Sequence, residues 1–175
     1  MKKILFISVL FTSFLFSSCG DDLEELLDVK FNTTITEEIP VTVIAGTNSL
    51  IESTEFSLIE NTETSKYLDK LKTIEIKKMT YKIIEFTGDS TGKITAVLEA
   101  DGETLHSISD KTVNTEFVNA TVFEVTNKAA LLNAATSLLK NKKISLKTNG
   151  QTVSTSPMSF KIKLTLDLDV VANPL

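Results

Sequence analysis

His106 is the only imidazole in the chain, and an imidazole titrates near neutrality, so it is the first candidate for a general base. Glu99, Asp101 and Asp110 lie close to it in sequence and could orient the ring. No nucleophile stands at a recognisable elbow to receive its help, and an exposed strand histidine is the simpler reading. Asp167 and Asp169 would share one face of a strand, and glycoside hydrolysis needs two carboxylates at a defined separation. Acids two apart on a wet strand face more often serve solvation. Asp89, Asp101, Glu103 and Asp110 could offer oxygens to Ca²⁺, yet the Asp-x-Asp-x-Asp-Gly loop is missing. Cys19 is the only cysteine, so with one histidine there is little material for a zinc site or a thiol relay. Gly88 and Gly92 flank Asp89-Ser90-Thr91, which reads as a turn between strands and not as a phosphate cradle. The residues therefore assign no catalytic set, no metal and no cofactor.

Composition narrows the ligand classes. The formal net charge is −5, and arginine is absent. An acidic surface disfavours nucleic acid, which asks for clustered Lys and Arg against phosphates. Without arginine the bidentate clamp for carboxylates and phosphates is also missing. Tryptophan is absent and Tyr67 and Tyr81 are the only tyrosines, so aromatic platforms are scarce. The single cysteine has no disulfide partner within the chain.

The first twenty residues have a separate logic. Lys2 and Lys3 open the chain, residues 4–16 carry no charge, and Ser17 and Ser18 lead into Cys19. A basic end, a short apolar run and small residues at a cut are the parts of a secretory signal. As a helix the run would reach ~20 Å at ~1.5 Å per residue, short of a ~30 Å hydrocarbon core. Phe16-Ser17-Ser18-Cys19 resembles the lipobox of bacterial lipoproteins, with Phe16 where that family usually has Leu. The resemblance implies cleavage between Ser18 and Cys19, a diacylglycerol on the Cys19 sulfur, and an acyl chain such as palmitate on the new amine. Two or more chains anchor stably where one is marginal. Gly20-Asp21-Asp22-Leu23-Glu24-Glu25 resembles the acidic export signals of Bacteroidota surface lipoproteins; a plain acidic linker would look the same. That family implies a Gram-negative outer membrane, with the domain on either face of it. Asp89-Ser90-Thr91 is similar to the O-glycosylation site of exported Bacteroidota proteins, with Ser90 as acceptor. Asn32-Thr33-Thr34 and Asn119-Ala120-Thr121 fit the N-glycan sequon, which has no evident use in a bacterial chain.

This reading divides the chain into a signal peptide at 1–18, an acidic tether at 19–28 and one domain at 29–175. Loss of Lys2 and Lys3 with the signal takes the formal charge from −5 to −7. Leu23, Leu26 and Leu27 are spaced for a short helical turn within the tether.

The domain's pattern is mainly period two. Met158, Phe160, Ile162, Leu164, Leu166, Leu168 and Val170 alternate with polar residues, which predicts one strand with a buried face and a wet face. A run of ~40 Å at ~3.3 Å per residue is expected to bend or change partners. Val29 to Ile35 alternates likewise, and Pro40 suggests an edge. Phe56, Leu58 and Ile59 read as a short strand. From Ile74 to Phe86 the phase slips, and bulges near Lys77-Lys78 and Ile84 would reconcile it. Phe117 to Val125 is apolar at both parities, which suits a central strand.

Asp101-Gly102 predicts a type I′ hairpin in which Leu98 faces Leu105 and His106 lies opposite Val97 on the more polar face. A short helix is expected from Ser65 to Lys72. A longer one should run from an Asn127 cap to Lys140, with Leu131, Ala134, Ala135 and Leu138 as its buried stripe and Asn141 in the left-handed position.

Many strands with two helices between them predict an antiparallel β-sandwich, Ig-like or jelly-roll-like. A membrane β-barrel would show aromatic girdles, and these residues do not supply them. The expected function is a lipid-anchored binding or assembly module that meets an envelope protein or glycan. The alternatives are an envelope glycan- or peptide-acting enzyme using carboxylates or His106, and a structural envelope component.

Overall fold

The computed structural model describes residues 27–173. The signal peptide, Cys19 and the acidic stretch from Gly20 to Glu25 lie outside the described residues. Eight strands run in chain order: β1 (Val29–Val43), β2 (Gly46–Ser57), β3 (Leu71–Gly88), β4 (Lys93–Ala100), β5 (Glu103–Thr112), β6 (Phe123–Glu124), β7 (Lys143–Ser154) and β8 (Met158–Ala172). A 3-10 helix (Thr64–Lys70) precedes β3, and α1 (Val113–Val118) and α2 (Lys128–Asn141) stand before and after β6.

One sheet has the order β1-β8-β3-β6 and the other β2-β7-β4-β5, with every pairing antiparallel. Apart from the β4–β5 hairpin, consecutive strands alternate between sheets and interleave the N- and C-terminal strands, which is the eight-stranded jelly roll and not the immunoglobulin arrangement. No helix among the described residues is long and apolar enough to cross a membrane.

β8 explains why the sandwich closes. Its even residues from Met158 to Ala172 are all buried, and its odd residues are half-covered. At period two, one full face enters the core, where Leu164 and Leu166 are completely buried. The expected change of partner does not occur. β1 stays paired to β8 from Val29↔Ala172 to Val43↔Met158. The irregularity falls on β3, whose register against β8 shifts between Leu71 and Thr73, Ile76 and Lys78, and Ile84 and Thr87. Two of those shifts are the anticipated bulges. They keep Ile74, Ile76, Met79, Tyr81 and Ile83 facing inward although their parity changes. Pro40 sits on β1, an edge strand, where a missing N–H can be turned away from the ladder.

The stretch Phe117–Val125 is not a central strand. The N–H groups of Asn119, Ala120 and Thr121 bond back to Thr115, Phe117 and Glu116, and Ala120 is left-handed at φ 50°. The apolar residues of both parities serve a helical turn: Phe117 packs on Phe86 at 6.0 Å, and Val118 is exposed. Only Phe123 and Glu124 join the sheet, opposite Tyr81 and Thr80.

α2 is capped as its sequence suggests. Asn127 Oδ1 accepts from the Ala130 N–H at 3.2 Å, and Ala130, Ala134, Ala135 and Leu138 are buried. The left-handed residue is Lys142 (φ 63°), not Asn141, because the helix continues through Asn141 before its last carbonyls are closed by Lys142 N–H to Leu138 O.

Candidate functional site

The hairpin turn at Asp101-Gly102 has positive φ at both central residues, 48° and 88°, as a type I′ turn requires. Beyond Glu99↔Thr104, however, Leu105 is an extra residue, and Leu98 pairs with His106. The bulge flips His106 from the polar face to the core face. Its ring meets Tyr81 edge-on at 5.6 Å and Phe123 at 6.4 Å, and Phe123 stacks on Tyr81 at 4.9 Å. His106 borders a cavity of about 20 Å³ with Tyr81, Leu98, Ile108, Thr148 and Ile162. That is room for about one water molecule, not for a substrate. Burial, with a lesser contribution from the Glu116 charge, pushes the Tyr81 phenol above its ordinary range. Thr148, 4 % exposed, has no hydrogen-bond partner for its hydroxyl among the described residues.

The acidic candidates do not converge on His106. Asp167 accepts from the Thr34 hydroxyl at 2.7 Å, and Asp169 lies 3.5 Å from Lys77, both on the outer face of the first sheet. Asp101 accepts from the Ser145 N–H, Glu103 holds the Asn133 amide, and Asp110 pairs with Lys93 at 2.8 Å. Each acid thus has a separate partner, and no three His, Cys, Asp or Glu side chains cluster as metal ligands among the described residues.

Asp89 is a structural joint. Its carboxylate accepts from the Thr91 N–H and hydroxyl at 2.8 and 2.7 Å, and from the Thr155 hydroxyl at 2.7 Å. The N–H groups of Thr155 and Ser156 complete the set. These bonds tie the β3–β4 turn to the β7–β8 turn. Donation, chiefly by Thr91 and then Thr155, holds the carboxyl far below the ordinary range. Ser90 is exposed at the tip of the same turn.

A second opening borders α2, at residues the sequence does not single out as a site. A groove of about 510 Å³ runs between β3 and α2. Ile74 and Ile76 line one wall, and Leu131, Leu132 and Ala135 the other. Glu75, Lys77, Glu124 and Lys128 add charge at its sides. The groove exists because β6 pairs with only Thr80 and Tyr81, so beside Ile74–Lys77 the sheet has no fourth strand. α2 is held over this gap by its ties to the β4–β5 hairpin: Asn127 Nδ2 donates to Thr104 O at 3.0 Å, and Asn133 to both Glu103 oxygens. Two signals in the sequence pointed here: Leu132 lies off the buried stripe of α2, and little chain separates Asn119 from Asn127 for a full strand.

No family model matches the chain, and no curated protein matches it. Among solved structures it is similar to one from Desmodium yellow mottle tymovirus, at 11% identity and TM-score 0.41, with 84% of each chain covered. A decameric BFDV capsid protein aligns at 13% identity and TM-score 0.41, covering 81% of this chain and 99% of that one. A structure from turnip yellow mosaic virus aligns at 10% identity and TM-score 0.40, covering 84% and 82%.

Proposed function

We propose that the chain is an exported lipoprotein, cut between Ser18 and Cys19, acylated on Cys19 and held at the outer membrane of a Gram-negative bacterium. There the jelly roll serves as a non-enzymatic module that binds an envelope protein. The observation that supports binding is the β3–α2 groove: an opening of about 510 Å³ with an apolar centre and charged sides, whose strand edge lacks a neighbour. A lipid tether confines such a groove to the membrane surface and raises its effective concentration toward other surface components.

Intact mass of the wild type and of Cys19→Ala, expressed in a Bacteroidota host, tests the anchor. Acyl mass on a chain beginning at Cys19, lost in the variant, is expected; wild type without lipid or cleavage at Cys19 overturns it. A photo-crosslinking residue at Leu132, 68% exposed on the groove, tests the binding face against one at Ile51, 61% exposed on β2. Specific adducts from position 132 and not from 51 are expected, and equal labelling from both sites refutes the groove.

A further inference from the structure

We propose that the groove takes up an extended segment of a partner protein as an added strand on β3, with alternating apolar residues. This rests on the binding-module reading above and specifies how the groove binds.

The backbone argument comes from the ladder. Met79 O accepts from the Val125 N–H at 3.0 Å, so Met79 turns its polar backbone toward the β6 side. On β8, Leu166, Leu168 and Val170 have the same parity and pair with Met79, Ile76 and Ile74. In an antiparallel ladder residues of one parity point their N–H and C=O to one side. The bulge at Lys77 absorbs the odd residue between Ile76 and Met79. Ile74 and Ile76 therefore present N–H and C=O to the open edge, and among the described residues no strand, helix or side chain bonds to them there. An incoming strand would bond to this pair of residues and occupy the fourth place that β6 leaves vacant.

Side chains set the pattern. Ile74 and Ile76 are buried on the inner face, and Leu131 and exposed Leu132 stand across the groove, so residues opposite the two isoleucines should be apolar. Glu75 points outward between them, so the residue opposite it should be basic. Lys128 has no carboxylate within ion-pair distance among the described residues, and Lys77 has only exposed ones, so one acid ahead of the apolar pair, on the Lys77 side, adds complementary charge. The fitting occupant is acid–apolar–base–apolar, run antiparallel to β3. Glu75 and Lys77, 3.3 Å apart, satisfy each other meanwhile and guard the edge against indiscriminate pairing.

The test uses the full chain in detergent micelles and a labelled probe, acetyl-Thr-Asp-Val-Lys-Val-Thr-amide, followed by fluorescence anisotropy. Saturable binding is expected. Methylating the two valine nitrogens, whose N–H groups face β3, should weaken it by about tenfold or more, and methylating the lysine nitrogen should not. Leu132→Asp should weaken it similarly, and Ile51→Asp should leave it unchanged; both sites are exposed enough for the fold to tolerate the charge. No saturable binding overturns the proposal. Binding that ignores the position of methylation overturns strand addition while the groove itself survives. If no probe binds and the chain instead self-associates in a Leu132-dependent way, a second copy is the occupant and the proposal falls. Acylation of Cys19 is read separately by mass, so none of these outcomes touches the anchor.

Discussion

Gly150→Ala should destabilise the domain, although alanine is usually the better strand residue. A Cβ built at Gly150 would lie 2.1 Å from Thr95 O and 2.6 Å from Ala96 Cα. Carbon atoms rest at ~3.5–4.0 Å, so β4 and β7 would have to part by about 1 Å at Ala96↔Gly150. Both obstructing atoms are backbone within a ladder and cannot swing aside as a side-chain end can. Overpacking of this kind costs ~1–3 kcal/mol, and the rigid obstruction argues for the upper end, ~3 kcal/mol. Against it stands the lower unfolded-state entropy of alanine, worth ~0.4–1 kcal/mol. The net is a loss of ~2 kcal/mol, or ~4–8 °C in Tm at ~2–4 °C per kcal/mol for a domain of this size. Thermal unfolding followed by far-UV circular dichroism measures it. The exposed neighbour Asn149→Ala is the control, expected within ~0.5 kcal/mol of wild type. A Gly150→Ala midpoint equal to or above wild type would refute the close approach, because only the entropy gain would then remain.

Asn127→Ala removes the α2 cap and the bond to Thr104 O, and should cost ~2 kcal/mol with faster hydrogen exchange in the first turn of α2. Asn127→Asp keeps the cap acceptor alone and should fall between; equal melting of all three proteins would show that neither bond matters. Asp89→Ala should lower Tm at neutral pH. The folded carboxyl of Asp89 titrates below its unfolded value, so its contribution is complete above the ordinary carboxylate range near ~4 and fades as pH falls below it. The gap between wild type and variant should therefore narrow in acid; a gap that persists unchanged at low pH contradicts the ionic role. Tyr81 has the opposite sign. Its folded value is raised by burial, so stability present below ~10 is lost as pH rises and the unfolded phenol ionises. Tyr81→Phe should unfold less readily in alkali than wild type, and identical alkaline midpoints would place the phenol in water.

How much was legible depends on whether one local rule decided the outcome. β8 was plain because seven consecutive even positions are apolar and no other arrangement buries them. The β3 bulges were legible from the slip in parity alone, since inward residues on both sides of Lys77 demand an extra residue. His106 was misplaced because the hairpin rule fixes only the pairs beside the turn. The bulge at Leu105 comes one residue beyond Glu99↔Thr104 and reverses the phase of His106 to Ile108, up to a second shift between Ile94 and Ala96. Leu105 is 3% exposed although it is the extra residue, so burial of that one leucine accompanies the change of phase that brings the histidine indoors. Phe117–Val125 failed for another reason. Apolar residues at both parities fit a strand covered on two faces and fit a short helix leading into a turn, and period cannot separate these.

The same failed segment leads to the functional reading. Had 117–125 formed a full central strand, the backbone of Ile74 and Ile76 would be paired and the first sheet would have no open position. Instead the chain uses those residues for α1 and a left-handed turn at Ala120, meets β3 only from Tyr81 back to Met79, and leaves for α2. A purely structural edge would be expected to hide its unpaired groups or shorten the strand beside them. Here β3 extends past the gap, from Leu71 to Gly88, and α2 is fastened over it by Asn127 and Asn133 while Leu132 stays in solvent. Keeping a long strand, an apolar wall and two unbonded residues together is costly unless something fills the space. That combination, rather than any titratable cluster, is the reason to look for the chain's function at the β3 edge.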